Sequence, residues 1–395
     1  MRVLVAPNAF KGTLTAAQAA SAMAAGVRQA WPQALVTELP LSDGGDGFLK
    51  TVVSVRGGRI SKRVVPGPLQ ERTRAPIGWV SDAQGSTAVV ELAAASGLAL
   101  IPNPTPATAG AASTRGLGTL IRLALQSRPH TVLVGIGGSS STDGGTGMAR
   151  ALGFRFLRED GSEVPEGGLG LLDLDRIDAT GAEPRLAEVQ VVAACDVTNP
   201  LLGPFGAAAV YGPQKGADPG LVQQLELGLA RLALVAARDL GTAGMELRRG
   251  SGAAGGTGFG LVAFLGARLA PGVEVVADAA GLDPLLEGSD LVFTGEGRFD
   301  RQSLEGKVPG EVARRARRLG VPCLVIAGSV EAEALRQLHE LGGRLVELDA
   351  DLRSIQAADS RQLGLIRRRA RTRVLRAAIE ACALAAGSLR PETGQ

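Results

Sequence analysis

The chain has 395 residues, 45% of them apolar, and its charge is nearly balanced, with 42 basic and 39 acidic side chains. That length predicts two or three domains with sizeable cores, and the small charge excess argues against a broad basic face for nucleic acid. Three widely spaced cysteines and two isolated histidines argue against a disulfide framework and a zinc site.

Targeting signals are also missing from the sequence pattern. The apolar run at residues 3–6 is too short for a signal peptide, and we expect that no apolar run approaches the length of a membrane span. We therefore expect a cytoplasmic protein that acts on small molecules, with no membrane or nucleic-acid partner. Homo-oligomerisation stays open.

In chain order, residues 2–6 form an apolar, β-rich run that predicts a central parallel strand. An alanine-rich helix is predicted over 15–31 and a second strand over 34–39. Each strand is followed by a polar, glycine-containing loop, which carries Lys11 after the first strand and Asp43 after the second. Loops at the carboxyl ends of parallel strands are the places where open α/β sheets bind ligands.

The middle of the chain changes character. Residues 59–92 contain short β-rich runs separated by proline and glycine, and residues 107–127 predict one helix. A buried strand at 131–134 then leads into GIGGSSSTDGGTG, residues 135–147. In many phosphate-binding sites a strand, a glycine-rich loop and a helix follow one another in this order. The phosphate then accepts hydrogen bonds from backbone N–H groups of the loop and of the helix N-terminus.

Within this loop we assign phosphate binding to Gly137, Gly138, Ser139 and Ser140. Asp143 would repel a phosphate, so it fits there as a ligand of Mg²⁺, as a base or as an internal cap. Of these we predict the metal role. A plain connecting turn is the alternative, although six glycines in thirteen residues exceed what such a turn needs.

Further loops carry the remaining candidates. Asp196 follows a predicted strand at 188–194, and Lys215 lies in a turn before a predicted helix at 219–240. The run containing Gly252, Gly255 and Gly256 matches GxGxxG, but no clear strand precedes it. It is therefore a poor dinucleotide fingerprint and a better second phosphate loop.

Another strand is predicted over 290–294, followed by Glu296, Arg298, Asp300 and Lys307. Strands and helices alternate again to the end of the chain, where residues 361–386 predict an arginine-rich helix. Alternation at both ends with an irregular middle predicts one α/β domain, 1–66 plus 287–395, carrying a second α/β domain inserted at 67–286.

Lysine usage helps to choose among these residues. Only five lysines stand against 37 arginines, and three of them, Lys11, Lys215 and Lys307, lie beside glycines. A compact ammonium suits a moving phosphoryl group, and acids on neighbouring loops suit the accompanying Mg²⁺. The collected loops therefore predict metal-assisted phosphoryl transfer, without a Walker A sequence or a protein-kinase catalytic loop.

Several long blocks resemble bacterial type I glycerate kinases: APNAFKGTL at 6–14, CDVTNPLLGPFGAAAVYGPQKGA at 195–217 and TGEGRFDRQSLEGK at 294–307, with the glycine loops between them. The resemblance covers residues 2 to about 330. It implies ATP-dependent phosphorylation of glycerate at the 2-hydroxyl, with Mg²⁺. It also implies two α/β domains beside a cleft, one of them flavodoxin-like or Rossmann-like.

Independently of the resemblance, the loop residues predict a catalytic set of Asp196, Lys215, Asp43 and Lys11, in which Asp196 or Asp43 is the base. ATP phosphates lie against 137–140 and 252–256, Lys11, Arg298 and Lys307 bind the substrate, and Asp143 and Glu296 hold the metal. Asn8 stands where the family often has an acid, so it receives no metal role.

Two other functions compete. A nicotinamide-dependent oxidoreductase would share the fold class, but the fingerprint context is missing. A nucleic-acid binder would use the arginines at 361–376, for which a solvated helix face is the simpler interpretation.

Overall fold

The computed structural model describes residues 1–10, 12–42, 47–82, 85–348 and 360–388. The chain divides into two compact units: unit 1 comprises residues 1–43 and 276–395, and unit 2 comprises residues 44–275. Both units are α/β.

The strands of the described residues are β1 (Arg2–Val5), β2 (Leu35–Glu38), β3 (Arg59–Pro66), β4 (Arg72–Asp82), β5 (Gly85–Glu91), β6 (Thr131–Gly135), β7 (Arg155–Leu157), β8 (Arg176–Asp178), β9 (Gln190–Ala194), β10 (Arg268–Ala270), β11 (Leu291–Glu296), β12 (Cys323–Ala327) and β13 (Gly343–Glu347). The helices are α1 (Ala16–Ala30), α2 (Phe48–Val55), α3 (Leu92–Ser96), α4 (Pro106–Ala111), α5 (Arg115–Leu125), α6 (Thr146–Ala151), α7 (Ala207–Tyr211), α8 (Pro219–Leu240), α9 (Ala253–Leu265), α10 (Gly272–Ala279), α11 (Leu282–Glu287), α12 (Arg301–Glu305), α13 (Val308–Arg318), α14 (Ala332–Glu340) and α15 (Ser360–Ser388).

Unit 1 is built on a parallel sheet in the order β13-β12-β11-β1-β2. Numbered within the unit, this is the flavodoxin-like order 2-1-3-4-5. The order reverses between β1 and β11, so the carboxyl ends of these two strands form the switch point where such sheets bind ligands. Glu296 is the last residue of β11.

Capping hydrogen bonds and buried apolar faces stabilise the helices of unit 1. Thr15 caps α1 by accepting a hydrogen bond from the Gln18 N–H, and the Gln18 side chain accepts from the Thr15 N–H in return. The buried face of α1, including Met23 and Val27, packs in one core with Val374 of α15. The arginines of α15 at 367–369, 371 and 376 are exposed.

Unit 2 contains a mixed sheet in the order β10-β9-β6-β5-β4-β3. Strands β5, β6, β9 and β10 are parallel, and β3 and β4 are antiparallel. Because β3 pairs with β4 along its whole length, residues 59–66 belong to unit 2. The unit boundaries therefore differ from the predicted 66 and 287.

One predicted helix is interrupted. Residues 107–127 form α4 and α5, separated at residues 112–114. The break leaves the Thr114 N–H and hydroxyl directed at Asp143, with both donor distances 2.8 Å. The break is thus part of the structure around the glycine loop, which propensity alone does not encode.

Helix α8 is the one helix of the described chain long and apolar enough to cross a membrane by length and composition. Its apolar side, including Leu225, Leu229 and Leu232, is fully buried in the core of unit 2. That face accounts for only part of the hydropathy, because Leu227 and Leu234 of the same helix are exposed.

Candidate functional site

Unit 2 has a cavity of about 340 Å³ at the carboxyl ends of β6 and β9. Its walls are the loops that follow these strands, one short turn before α8 and the start of α9. The lining residues are 136–139, 194–197, 214–215 and 253–254, with Leu98 and Tyr211. The cavity is therefore at the edge where an open α/β sheet presents ligand-binding loops.

The loop after β6 contributes only part of its predicted set. Gly137, Gly138 and Ser139 line the cavity. Gly138 has φ +71°, a left-handed conformation that glycine adopts without strain, and this turn directs Ser139 into the cavity. Ser140 is buried and its hydroxyl donates to the Ser96 carbonyl at 2.9 Å, so the structure gives this predicted phosphate ligand another partner.

Lys215 reaches the same cavity from the turn before α8. It is only 2% exposed, and its Nζ donates to Ser139 Oγ at 2.9 Å and to the Ser141 carbonyl at 2.5 Å. Burial lowers the pKa of Lys215 to about 7, although the nearby Asp143 charge raises it. A buried amine with neutral hydrogen-bond partners can receive an anion, because no carboxylate hydrogen-bonded to it has to be displaced.

The second glycine loop, residues 252–256, packs against Lys215 and contributes only two residues to the cavity lining. Gly255 has φ +68°, and a Cβ there would lie 2.0 Å from the Ser141 carbonyl oxygen and 2.8 Å from Lys215 Nζ. Ala253 and Ala254 line the cavity, whereas the predicted Gly252, Gly255 and Gly256 are not among its lining residues. The residues before Gly250 form a 3-10 turn, Met245–Leu247, so the context of a dinucleotide fingerprint is absent there.

Asp196 lies in the cavity wall, as its position after β9 predicts. One carboxylate oxygen accepts a hydrogen bond from the Gly272 N–H at 2.7 Å, which fixes the side chain. The structure thus brings Asp196, Lys215 and Ser139 to one cavity within unit 2.

Asp143 has a different position from the one predicted. Its carboxylate is completely buried and accepts from the Thr114 N–H and hydroxyl, the Gly145 N–H and the Gly147 N–H, at 2.8–3.2 Å. These donors occupy both oxygens. The geometry corresponds to an internal cap that joins the glycine loop to α5 and α6, and it argues against the predicted metal role.

Sequence reasoning missed part of the cavity wall. Tyr211 lines it, and its hydroxyl donates to the Asn199 side chain at 2.7 Å. Cys195 also lines it and donates from Sγ to the Val197 carbonyl; burial raises the pKa of both Cys195 and Tyr211. Tyr211 is the only tyrosine of the chain and lies inside the 195–217 block, a signal that could have found it.

In unit 1, the structure groups four predicted residues near the end of β11. Lys307 Nζ is 3.3 Å from Asp300 and 3.8 Å from Glu296, and Arg298 is 3.5 Å from Asp300. Burial raises the pKa of Asp300, but Lys307 and hydrogen bonds from Ser303 together hold it below its ordinary value. Asp300 also caps α12. The predicted Lys11 and Asp43 lie outside the described residues.

The predicted metal ligands do not fit a protein-held Mg²⁺ site. Asp143 has its oxygens occupied by protein donors, and Glu296 faces an ammonium. Among the residues that the structure describes, no group of three or more His, Cys, Asp or Glu side chains is arranged to hold a metal ion.

The chain is similar to known glycerate kinases along most of its length. The model of the glycerate kinase family matches residues 3–376. A glycerate kinase of Bacillus subtilis (strain 168) is 43% identical over 338 residues, covering 85% of this chain and 86% of the relative. A glycerate 2-kinase of Escherichia coli (strain K12) is 40% identical over 334 residues, covering 84% and 86%.

The fold gives the same result. A Salmonella typhimurium LT2 crystal structure assigned as glycerate kinase 2 superposes with a TM-score of 0.84 at 39% identity, covering 99% of this chain and 100% of that one. The resemblance carried by the sequence blocks, the two α/β units and these matches agree with one another. The chain belongs to the glycerate kinase family.

Proposed function

We propose that the chain transfers the γ-phosphoryl group of ATP to the 2-hydroxyl of glycerate, yielding 2-phosphoglycerate and ADP. The observation that carries the proposal is Lys215, a buried amine in a glycine-lined cavity at the strand ends. The name of the Escherichia coli relative supports the 2-position.

Positioning and charge neutralisation supply most of the catalysis in phosphoryl transfer. The cavity loop at 137–139 and the backbone at 253–254 bind the nucleotide phosphates. In its protonated form, Lys215 neutralises charge on the phosphoryl group during in-line transfer. Burial strengthens this interaction because little water screens it.

Asp196 is the base that orients the attacking hydroxyl and accepts its proton. It lines the same cavity as Lys215, and its contact with Gly272 holds the carboxylate in place. Asp43 stays an alternative base. The glycerate carboxylate needs a fixed cation, for which Lys11, Arg298 and Lys307 are the candidates.

Magnesium belongs to the nucleotide in this proposal. Mg²⁺ in kinase sites is held largely by substrate phosphates and water, with one or two protein carboxylates. The substrate is therefore MgATP, and Asp143 has no part in binding it.

An enolase-coupled assay tests the proposal. The protein is incubated with MgATP and glycerate, and enolase is added without phosphoglycerate mutase. Phosphoenolpyruvate should appear immediately, because enolase consumes 2-phosphoglycerate. Product that appears only after mutase is added would move the phosphorylation to the 3-hydroxyl, and no product with either would refute the proposal.

A further inference from the structure

Among the three consecutive serines of the glycine loop, the structure singles out Ser139. It lines the cavity, and its Oγ is 2.9 Å from the Lys215 Nζ. The Ser140 hydroxyl donates to the Ser96 carbonyl instead, and Ser141 contacts Lys215 through its backbone carbonyl. Ser139 is therefore the hydroxyl of this loop that combines access to the cavity with an amine neighbour.

The contacts around Lys215 favour proton transfer from Ser139. Burial lowers the pKa of Lys215 to about 7, so a large share of the amine is neutral at physiological pH. A neutral amine has two N–H groups and one lone pair. The structure has Nζ donating to both Ser139 Oγ and the Ser141 carbonyl. In the neutral form the Ser141 carbonyl, which can only accept, keeps an N–H, and at the same 2.9 Å separation the Ser139 hydroxyl can donate to the lone pair instead. An adjacent base is what makes a serine hydroxyl nucleophilic.

The backbone holds Ser139 in place on both sides. The Gly138 carbonyl accepts from the Leu98 N–H at 2.9 Å, and the Ser140 N–H donates to the Ser96 carbonyl at 3.0 Å. The nucleophile and its base are thus fixed by neighbouring structure before any substrate binds, which is the requirement for efficient catalysis by proximity.

We propose that Ser139 is a nucleophile that takes the γ-phosphoryl group of ATP and passes it to the acceptor hydroxyl, with Lys215 as its base. The proposal rests on the proposed function for its phosphoryl donor. Transfer to glycerate then proceeds as two in-line displacements with a phosphoserine between them.

Each displacement is balanced. In the first, Ser139 Oγ bonds to the γ-phosphorus, the bond to the bridging oxygen breaks with its electron pair leaving on ADP, and the hydroxyl proton moves to Lys215 Nζ. In the second, the glycerate 2-hydroxyl oxygen bonds to phosphorus and gives its proton to Asp196. The bond from phosphorus to Ser139 Oγ breaks, and Lys215 returns its proton to that oxygen.

The experiment mixes the protein with MgATP labelled with ³²P at the γ-position, without glycerate, and quenches in acid on the millisecond scale. We expect about one label per chain at most, stable to acid, located in the peptide containing Ser139. Adding unlabelled glycerate should move the label to phosphoglycerate at least as fast as steady-state turnover. Turnover without a label, or a label that glycerate does not remove, would overturn the proposal.

Variants separate chemistry from folding. Ser139→Ala and Lys215→Met should lose the label and at least 100-fold in turnover while keeping the circular dichroism spectrum of the unsubstituted protein and a cooperative unfolding transition. Ser162→Ala, which removes an exposed hydroxyl bonded to Asp160, should keep both label and turnover. A label retained by Ser139→Ala would overturn the assignment.

A fluorophosphonate probe distinguishes this inference from the proposed function. It reacts with activated serines and needs no ATP, and we expect it to modify Ser139 in the unsubstituted protein and not in Lys215→Met. If glycerate yields no phosphorylated product but the probe modifies Ser139, the proposed function fails and the activated serine stands. If product forms and no phosphoserine does, the function stands and this inference fails.

Discussion

Lys215 in unit 2 and Lys307 in unit 1 both follow glycine-rich loops, but the protein surrounds them differently. Lys215 is buried and bonded to neutral oxygens of Ser139 and Ser141. Lys307 is partly exposed and lies between the carboxylates of Glu296 and Asp300. A cation without carboxylate partners attracts a phosphate strongly, whereas the charge of Lys307 is already neutralised by its neighbours. We therefore expect the chemistry to depend mainly on Lys215.

The largest expected effect is the loss of turnover in Lys215→Met. Removing one charge-stabilising donor from a transition state commonly costs two to three orders of magnitude, so we expect kcat to fall by ~10³-fold. The enolase-coupled assay measures it. Lys62→Met, which removes an exposed lysine of the same unit, is the control and should keep its activity. A fall in kcat of less than threefold in Lys215→Met would contradict the expectation that the chemistry depends mainly on Lys215.

The next effect concerns Asp143, the charge that raises the pKa of Lys215. Asp143→Ala leaves the buried Thr114, Gly145 and Gly147 donors without their acceptor, and we expect it to lower the free energy of unfolding by ~3 kcal/mol. Urea denaturation measures this loss. As a control, Asp160→Ala removes an exposed carboxylate of unit 2 and should leave the midpoint nearly unchanged.

The Asp143→Ala variant also distinguishes a capping role of Asp143 from the metal-binding role predicted from the sequence. A metal ligand would give nearly unchanged stability and a greatly increased Mg²⁺ requirement. That result would contradict the interpretation of Asp143 as a cap.

A smaller effect is expected at Lys307. Lys307→Met should lower kcat/KM for glycerate by ~30-fold, mainly through KM, because an ammonium shared with two carboxylates adds substrate binding more than transition-state stabilisation. Steady-state kinetics with either substrate varied separates the two parameters. Arg28→Met removes an exposed cation of unit 1, paired with Glu38, and serves as the control. Equal losses of kcat in Lys215→Met and Lys307→Met would contradict the different roles assigned to the two lysines.

The sequence predicted the positions of the loops better than the directions of their side chains. Short apolar strands and their glycine-rich ends are local patterns, so the placement of Asp196 after a predicted strand and of Lys215 in a turn before a predicted helix located the cavity. The orientation of Ser139 into the cavity and of Asp143 into the core depends on long-range contacts with residues 96–98 and 114. Spacing carries no information about such contacts. For the same reason, the break between α4 and α5 was missed.

The smallest expected effect, taken per pH unit, is the pH dependence of stability that Lys215 produces. Its pKa in the folded protein is about 7, against an ordinary value of 10.5, so the unfolded chain binds more protons between these values. The contribution of Lys215 to stability should therefore rise with pH from 7 towards 10, by at most ~1.4 kcal/mol per pH unit. Subtracting the profile of Lys215→Met from that of the unsubstituted protein, both measured by urea denaturation at pH 7 to 9, isolates this contribution. Lys307→Met, subtracted in the same way, provides the comparison. A flat difference for Lys215→Met would mean that the buried amine titrates near its ordinary pKa, and the base role assigned to it would lose its physical basis.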